Sequence, residues 1–236
     1  MLNAASFSRR VMHVFFPERC ACCSRVILPE KGICDTCRAA LPRIGRDCCP
    51  ACGQKKPKCH CKPRVKLAPC IAPFFYKDGI RQGIHTLKFE GLTHGVNYFA
   101  EQMAQEVTDR YGSGFDGVVY VPSTRKKQRR RGYNPARWLA GGMAKKLNIP
   151  LLDGALTRLY ETNDQHVSPL PLRKANVFGV FDADPALVAG KHLLLVDDII
   201  TTGATMDECA KMLWLSDCAE VCCIALASTP APEESH

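Results

Sequence analysis

Two adjacent carboxylates, Asp197 and Asp198, stand between an apolar run and a Thr/Gly loop in the stretch LLLVDDIITTGAT, residues 193–205. The order of these residue types suggests specific chemistry. Thr201, Thr202, Gly203, Ala204 and Thr205 form a small-residue turn whose backbone N–H groups can wrap an anion and whose hydroxyls add hydrogen bonds. Met206, Cys209, Ala210 and Leu213 follow at helical spacing, so the turn opens onto a helix N-terminus, the favourable pole for a phosphate. The acids beside this cradle suit the hydroxyls of a ribose or a hydrated Mg²⁺. An ordinary capped turn would leave two carboxylates at the mouth of an apolar strand without partners, which is costly.

These groups must be positioned by a sheet. Leu193, Leu194, Leu195 and Val196 are a continuous apolar run, the pattern of a strand buried on both faces. The acids then fall at its carboxyl end, where open α/β sheets bind their ligands. Residues 117–121 form a second apolar strand, stopped by Pro122, and residues 221–227 a final buried one. Ile80, Ile84 and Leu87 predict a short helix ending at Lys88 and Phe89, and Val96, Phe99, Ala100, Met103 and Val107 an amphipathic one. Asn134 followed by Pro135 reads as an N-cap with proline at the first helical position, opening a helix to about Leu147. The alternation predicts an α/β fold with a mainly parallel sheet.

Cysteine usage marks a different module. Eleven of the 15 cysteines fall between Cys20 and Cys70. Cys20-x2-Cys23 and Cys34-x2-Cys37 have the two-knuckle spacing of a zinc ribbon, with Cys22 a weaker competitor for a ligand position. Cys49, Cys52, Cys59 and Cys61 form a second set. There Cys59-x-Cys61 is one residue tighter than usual, and His60 or Cys48 is an alternative fourth ligand. Four thiolates leave no open position, so both zinc ions are expected to be structural, and metal binding to supply the folding free energy of a segment poor in large apolar residues. Cys209, Cys218, Cys222 and Cys223 read as small reduced core residues. The N-terminal stretch lacks the cleavage site of a signal peptide, and no apolar run reaches the ~18 residues of a membrane helix. The expected location is the cytoplasm, without membrane insertion.

Charge divides the chain the same way. Residues 1–70 hold 14 Lys/Arg against 4 Asp/Glu, and residues 71–236 hold 18 against 19. Two four-thiolate zinc sites would lower the first module to about +6, which is still basic. Pro63, Pro69 and Pro73 mark a stiff connector, dividing residues 1–66 from residues 72–230. A second basic run, Ser123, Thr124, Arg125, Lys126, Lys127, Gln128, Arg129, Arg130 and Arg131, follows the strand at 117–121 and reads as a loop. Because it leaves the same sheet edge as Asp197 and Asp198, it is placed to meet a pyrophosphate, and it is equally suited to track a nucleic-acid backbone. Phe15, Phe16, Tyr133 and Trp138 offer stacking surfaces near these charges, unless they are core residues.

The Asp197–Thr205 segment resembles the signature of phosphoribosyltransferases. That resemblance implies acids contacting the ribose 2′- and 3′-hydroxyls of phosphoribosyl pyrophosphate (PRPP), and a loop holding its 5′-phosphate. The whole chain resembles the ComF family, a double zinc ribbon followed by a type I-like phosphoribosyltransferase domain. The residues that carry this are Phe16-Pro17-x-x-Cys20 with the knuckles, Leu87-Lys88-Phe89-x-Gly91, Val121-Pro122 leading to Arg131-Gly132-Tyr133-Asn134, then Gln165, Arg173, Asn176, Gly179 and Phe181, and the Asp197–Thr205 loop. Pro135, Pro169, Pro171 and the tight Cys59/Cys61 pair depart from the pattern. The resemblance implies a role in natural transformation, handling incoming single-stranded DNA beside a helicase-like or recombination-mediator partner. Three functions compete: an active transferase using PRPP with Mg²⁺ and an unknown acceptor, a non-enzymatic single-stranded-DNA adaptor that keeps the PRPP site, and a regulatory PRPP sensor.

Overall fold

A computed structural model describes residues 17–49, 59, 61–89, 94–159 and 180–230. Helix α1 (Asp35–Ala39) lies in the Cys-rich region; β1 (Cys70–Ile71) and β2 (Phe74–Phe75) open the α/β part. Then come α2 (Asp78–Phe89), α3 (His94–Tyr111), β3 (Gly117–Tyr120), α4 (Arg125–Arg131) and α5 (Pro135–Leu147). The remaining elements are β4 (Leu156–Arg158), β5 (Phe181–Ala183), α6 (Pro185–Val188), β6 (His192–Ile200), α7 (Ala204–Leu215) and β7 (Glu220–Ser228).

The main sheet is five-stranded, in the order β1-β7-β6-β3 with β2 also on β7, and every pairing in it is parallel. Strands β6 and β7 are its centre, which explains their continuous apolar sequence. Alternate residues serve opposite faces. Leu194, Val196 and Ile224 face α2, α3 and α5, while Leu193, Leu195 and Val221 face α7 and the small antiparallel β4–β5 pair. Asn134 caps α5 as expected: its side chain accepts from Ala136 N–H, and its amide also donates to Val121 O. The four late cysteines are buried and unpaired.

The Cys-rich region does not stand apart. Ala21, Cys22, Ile27, Ile33 and Leu41 belong to the same apolar core as Ile80, Ile84 and Phe99. Gly95 permits this approach, since a Cβ there would come within 2.7 Å of Ala21 Cβ. The expectation that metal alone stabilises this region is therefore corrected: its first half is also held by burial against α2 and α3.

Two local expectations change. The basic run at 125–131 is a helix, not a loop. Thr124 caps it by accepting from Lys127 N–H, Gly132 ends it in the left-handed region at φ 77°, and the Arg, Lys and Gln between them are good helix formers. Strand β6 runs on to Ile200, so Asp197 and Asp198 lie within its last half rather than after it. Phe15, Phe16, Cys52, His60, Gly91, Gln165, Arg173, Asn176 and Gly179 lie outside the described residues.

Candidate functional site

The parallel register pairs Tyr120 with Val196 and Asp197 with Ala225, which brings the carboxyl ends of β3, β6 and β7 to one edge. Asp197 is half-buried. Burial, then the neighbouring Asp198 charge, push its carboxyl up to about 8, against the pull of Asp198 N–H, Lys88 and Lys127. Lys88, in the last turn of α2, donates to Asp198 Oδ1 at 2.9 Å, with only 20% and 15% of the two side chains exposed. The acids are thus not equivalent. Asp198 has a fixed cation, whereas Asp197 hydrogen-bonds the backbone N–H of Asp198 at 2.7 Å.

Beyond them the chain turns at Thr201–Gly203, and α7 starts at Ala204. Gly203, at φ 84°, occupies the N-cap position and has no side chain to satisfy the first-turn N–H groups. Ala204 N–H donates to Thr202 Oγ1 at 3.4 Å, and the helix pole as a whole suits an anion's oxygens. Thr201, Thr202, Ala204 and Thr205 are exposed, and a cleft of about 30 Å³ runs along Asp197 and residues 199–206. The structure therefore brings Asp197, Thr201, Thr202, Gly203, Ala204 and Thr205 together along one cleft, while Asp198, next on the strand, turns to Lys88.

The basic helix α4 rises from the neighbouring strand end. Residues 125–130 are exposed, and Ser123 is half-buried at its base. The Lys127 charge reaches Asp197. Arg130 and Arg131 lie over the Phe89 ring at 5.5 and 4.8 Å, and Phe89 is 50% exposed. The Nε of Arg131 is buried without a hydrogen-bond partner among the described residues. Cations and an exposed ring therefore border the acid pair. Tyr133 and Trp138 stack on each other at 3.9 Å, both half-buried.

Sequence reasoning missed Lys88 as a site residue. Two signals mark it: it falls in the Leu87-Lys88-Phe89-x-Gly91 stretch of the family resemblance, and it closes a helix whose apolar face is Ile80, Ile84 and Leu87.

Two cysteine groups have ligand geometry. The sulfurs of Cys20, Cys23, Cys34 and Cys37 lie within 4.8 Å of one another. A Zn–S bond of ~2.3 Å gives a tetrahedron with edges of ~3.8 Å. The Cys23–Cys34 sulfur separation is 3.7 Å. Backbone N–H groups of Cys37 and Cys34 donate to the sulfurs of Cys34 and Cys20, and the first of these draws the Cys34 thiol down to about 7. Cys22 lies outside the group; burial among apolar neighbours pushes its thiol up to about 12. Cys49, Cys59 and Cys61 form the second group, without Cys48. Both fit zinc by donor type and spacing.

Known proteins match both halves. Residues 135–236 fit a model described as a phosphoribosyl transferase domain, and residues 11–68 one described as a double zinc ribbon domain. The DNA utilization protein YhgH of Escherichia coli strain K12 is 30% identical over 208 residues, covering 86% of each chain. Competence protein ComFC of Bacillus subtilis strain 168 is 23% identical, covering 80% of each. Competence protein F of Haemophilus influenzae is 26% identical, covering 84% of this chain and 92% of its own.

Proposed function

Because the chain belongs to the ComF family, which joins a double zinc ribbon to a phosphoribosyltransferase-type domain, we propose that it binds PRPP and handles single-stranded DNA during natural transformation. The observation that carries the reading is the edge from Asp197 to Thr205, ending at a helix N-terminus whose N-cap residue, Gly203, has no side chain to bond its first turn. Thr201–Thr205 hold the 5′-phosphate through backbone N–H groups and hydroxyls. Asp197 and Asp198 orient the ribose hydroxyls, with Lys88 fixing Asp198. Mg²⁺, when bound with PRPP, neutralises pyrophosphate charge beside the acids. Arg125, Lys126, Arg129, Arg130 and Arg131 present the cations that a pyrophosphate or a DNA backbone requires, and Ser123 adds a hydroxyl at their base. Residues 1–66 and 72–230 divide the labour, with the ribbon as a docking module for DNA or for a helicase-like or recombination-mediator partner. The described residues include no helix long and apolar enough to cross a membrane, and we place the protein in the cytoplasm.

Turnover is a second reading, favoured by the completeness of the Asp197–Thr205 motif. Calorimetry with PRPP and Mg²⁺, repeated with single-stranded DNA, tests the proposal. Asp197→Ala combined with Asp198→Ala is expected to abolish PRPP binding while the circular dichroism spectrum stays native. Normal PRPP binding by that double variant would overturn the assignment. Pyrophosphate release from PRPP on adding an acceptor base would move the protein to the transferases.

A further inference from the structure

The connector between the two modules does more than join them. Backbone N–H groups of Lys66 and Leu67 both donate to Asp207 Oδ1, at 2.6 and 3.0 Å, and Asp207 sits in the first turn of α7, immediately behind the Thr201–Thr205 loop. Arg64 donates from one guanidinium nitrogen to Thr229 Oγ1 at 2.9 Å and to Ser228 Oγ at 3.2 Å, and the same nitrogen reaches Ile200 O at 3.5 Å. Ile200 is the last residue of β6 before the loop. Trp214 donates to Leu67 O at 3.2 Å, and Cys223 N–H to Pro69 O at 2.8 Å.

Gly203 supplies the contact itself. A Cβ at that position would lie 2.2 Å from Arg64 O and 2.5 Å from Arg64 C, and φ is 84°. Only glycine lets the connector press on the back of the loop, for both steric and backbone reasons.

The other end of the connector is the second cysteine group. Cys61 is three residues before Arg64, and burial lowers the Arg64 pKa while the charges of Cys49 and Cys61 support its ionised form. Between connector, cysteines and the ends of β6 and β7 lies a cavity of about 610 Å³, lined by Cys49, Cys61, Arg64, Ile200 and Ser228 among others. The connector is thus pinned at discrete points and has free space beneath it.

We propose that Arg64 and Asp207 are positioning residues for the phosphate loop, and that the intact second cysteine group sets the loop's grip on PRPP through the connector. This rests on the PRPP reading above. When zinc leaves, the cysteine sulfurs take up protons and no longer share a metal, the connector loses its anchor, the Lys66 and Leu67 bonds to Asp207 loosen, and the loop N–H groups lose their convergence. The second site is therefore a control point for a ligand it does not touch.

The test is a double-mutant cycle on the full chain with Asp207→Ala and Cys59→Ser. Two readouts are needed: hydrogen exchange of amides 201–207 without ligand, and PRPP affinity with Mg²⁺ by calorimetry. Each single variant is expected to speed loop exchange and to weaken PRPP about tenfold, in the range of ordinary coupling between sites. The double variant should be no worse than Asp207→Ala alone, because both act on one element. Asp207→Asn keeps an acceptor oxygen and should restore most of the affinity. Arg46→Ala, which removes an ion pair to Asp109 on α3, should change neither readout. Unchanged loop exchange in Cys59→Ser, or additive losses in the double variant, would overturn the proposal. If Cys59→Ser fails to fold, Cys61→Ser takes its place in the cycle. A parent protein that binds no PRPP would sink the functional reading, and loop exchange would still decide the coupling.

Discussion

Replacing Asp197 with Asn should stabilise the ligand-free protein, and by more as the pH rises. Burial and the adjacent Asp198 move the Asp197 carboxyl from 3.8 up to about 8. A carboxyl raised in this way contributes stability that is fully present below its unfolded pKa and is lost as pH climbs through the folded one. The loss here spans pH from about 4 to about 8. At 1.36 kcal/mol per pH unit, the full displacement corresponds to an upper bound of about 6 kcal/mol. Solvent reaching a half-buried carboxylate screens this to ~2 kcal/mol. Asn matches Asp in shape and does not titrate, so it removes the slope. For a chain of this length the expected gain in Tm near pH 8.5 is about 4–8 °C, shrinking steadily toward pH 5. Thermal melts of both proteins in matched ionic strength from pH 5 to 8.5 measure it. A Tm difference that stays constant with pH, or that grows toward acid, would refute the assignment of strain to the acid pair. The same variant should bind PRPP poorly, because stability and ligand orientation make opposite demands on that carboxylate.

Other outcomes follow from the same geometry. Lys88→Met should leave Asp198 as an uncompensated half-buried charge and lower stability by ~2–4 kcal/mol at pH 8; a melt within 1 °C of the parent would show that the pair is idle. Purified protein should carry close to two zinc ions by metal analysis. Cys20→Ser should lose one and destabilise the shared core around Ile33, Ile84 and Phe99 as well as the first knuckle; disulfides in place of zinc would contradict the ribbon assignment. Neutralising Arg129, Arg130 and Arg131 together should weaken single-stranded-DNA binding and flatten its salt dependence in fluorescence anisotropy, whereas an unchanged salt slope would assign α4 to pyrophosphate alone.

What the sequence encodes locally can be read from it, and what depends on distant pairing cannot. Leu193–Thr205 carries strand, acids, loop and helix start in one stretch, so each of these elements is fixed by its neighbours and is legible from residues alone. The Cys-x2-Cys pairs and the Asn134-Pro135 cap are local in the same sense. The helix at 125–131 was hidden because a run of charge ordinarily signals a solvated loop; its caps, Thr124 and Gly132, were present in the sequence but were outweighed by composition. Strands β1 and β2 have two residues each and exist because β7 offers them an edge. No periodicity can form over two residues. Lys88 meets Asp198 across 110 positions, and Lys66 meets Asp207 across 141. In both cases a residue of ordinary surface type gains its role only from the fold. The motif therefore marks the groups assigned to the ligand, while the partners that set their charge and hold them in place come from distant segments. Gly203 is where the two kinds of information coincide. It reads as a loop glycine in sequence, and in the structure the same missing side chain gives the loop its turn and gives the connector room to reach it.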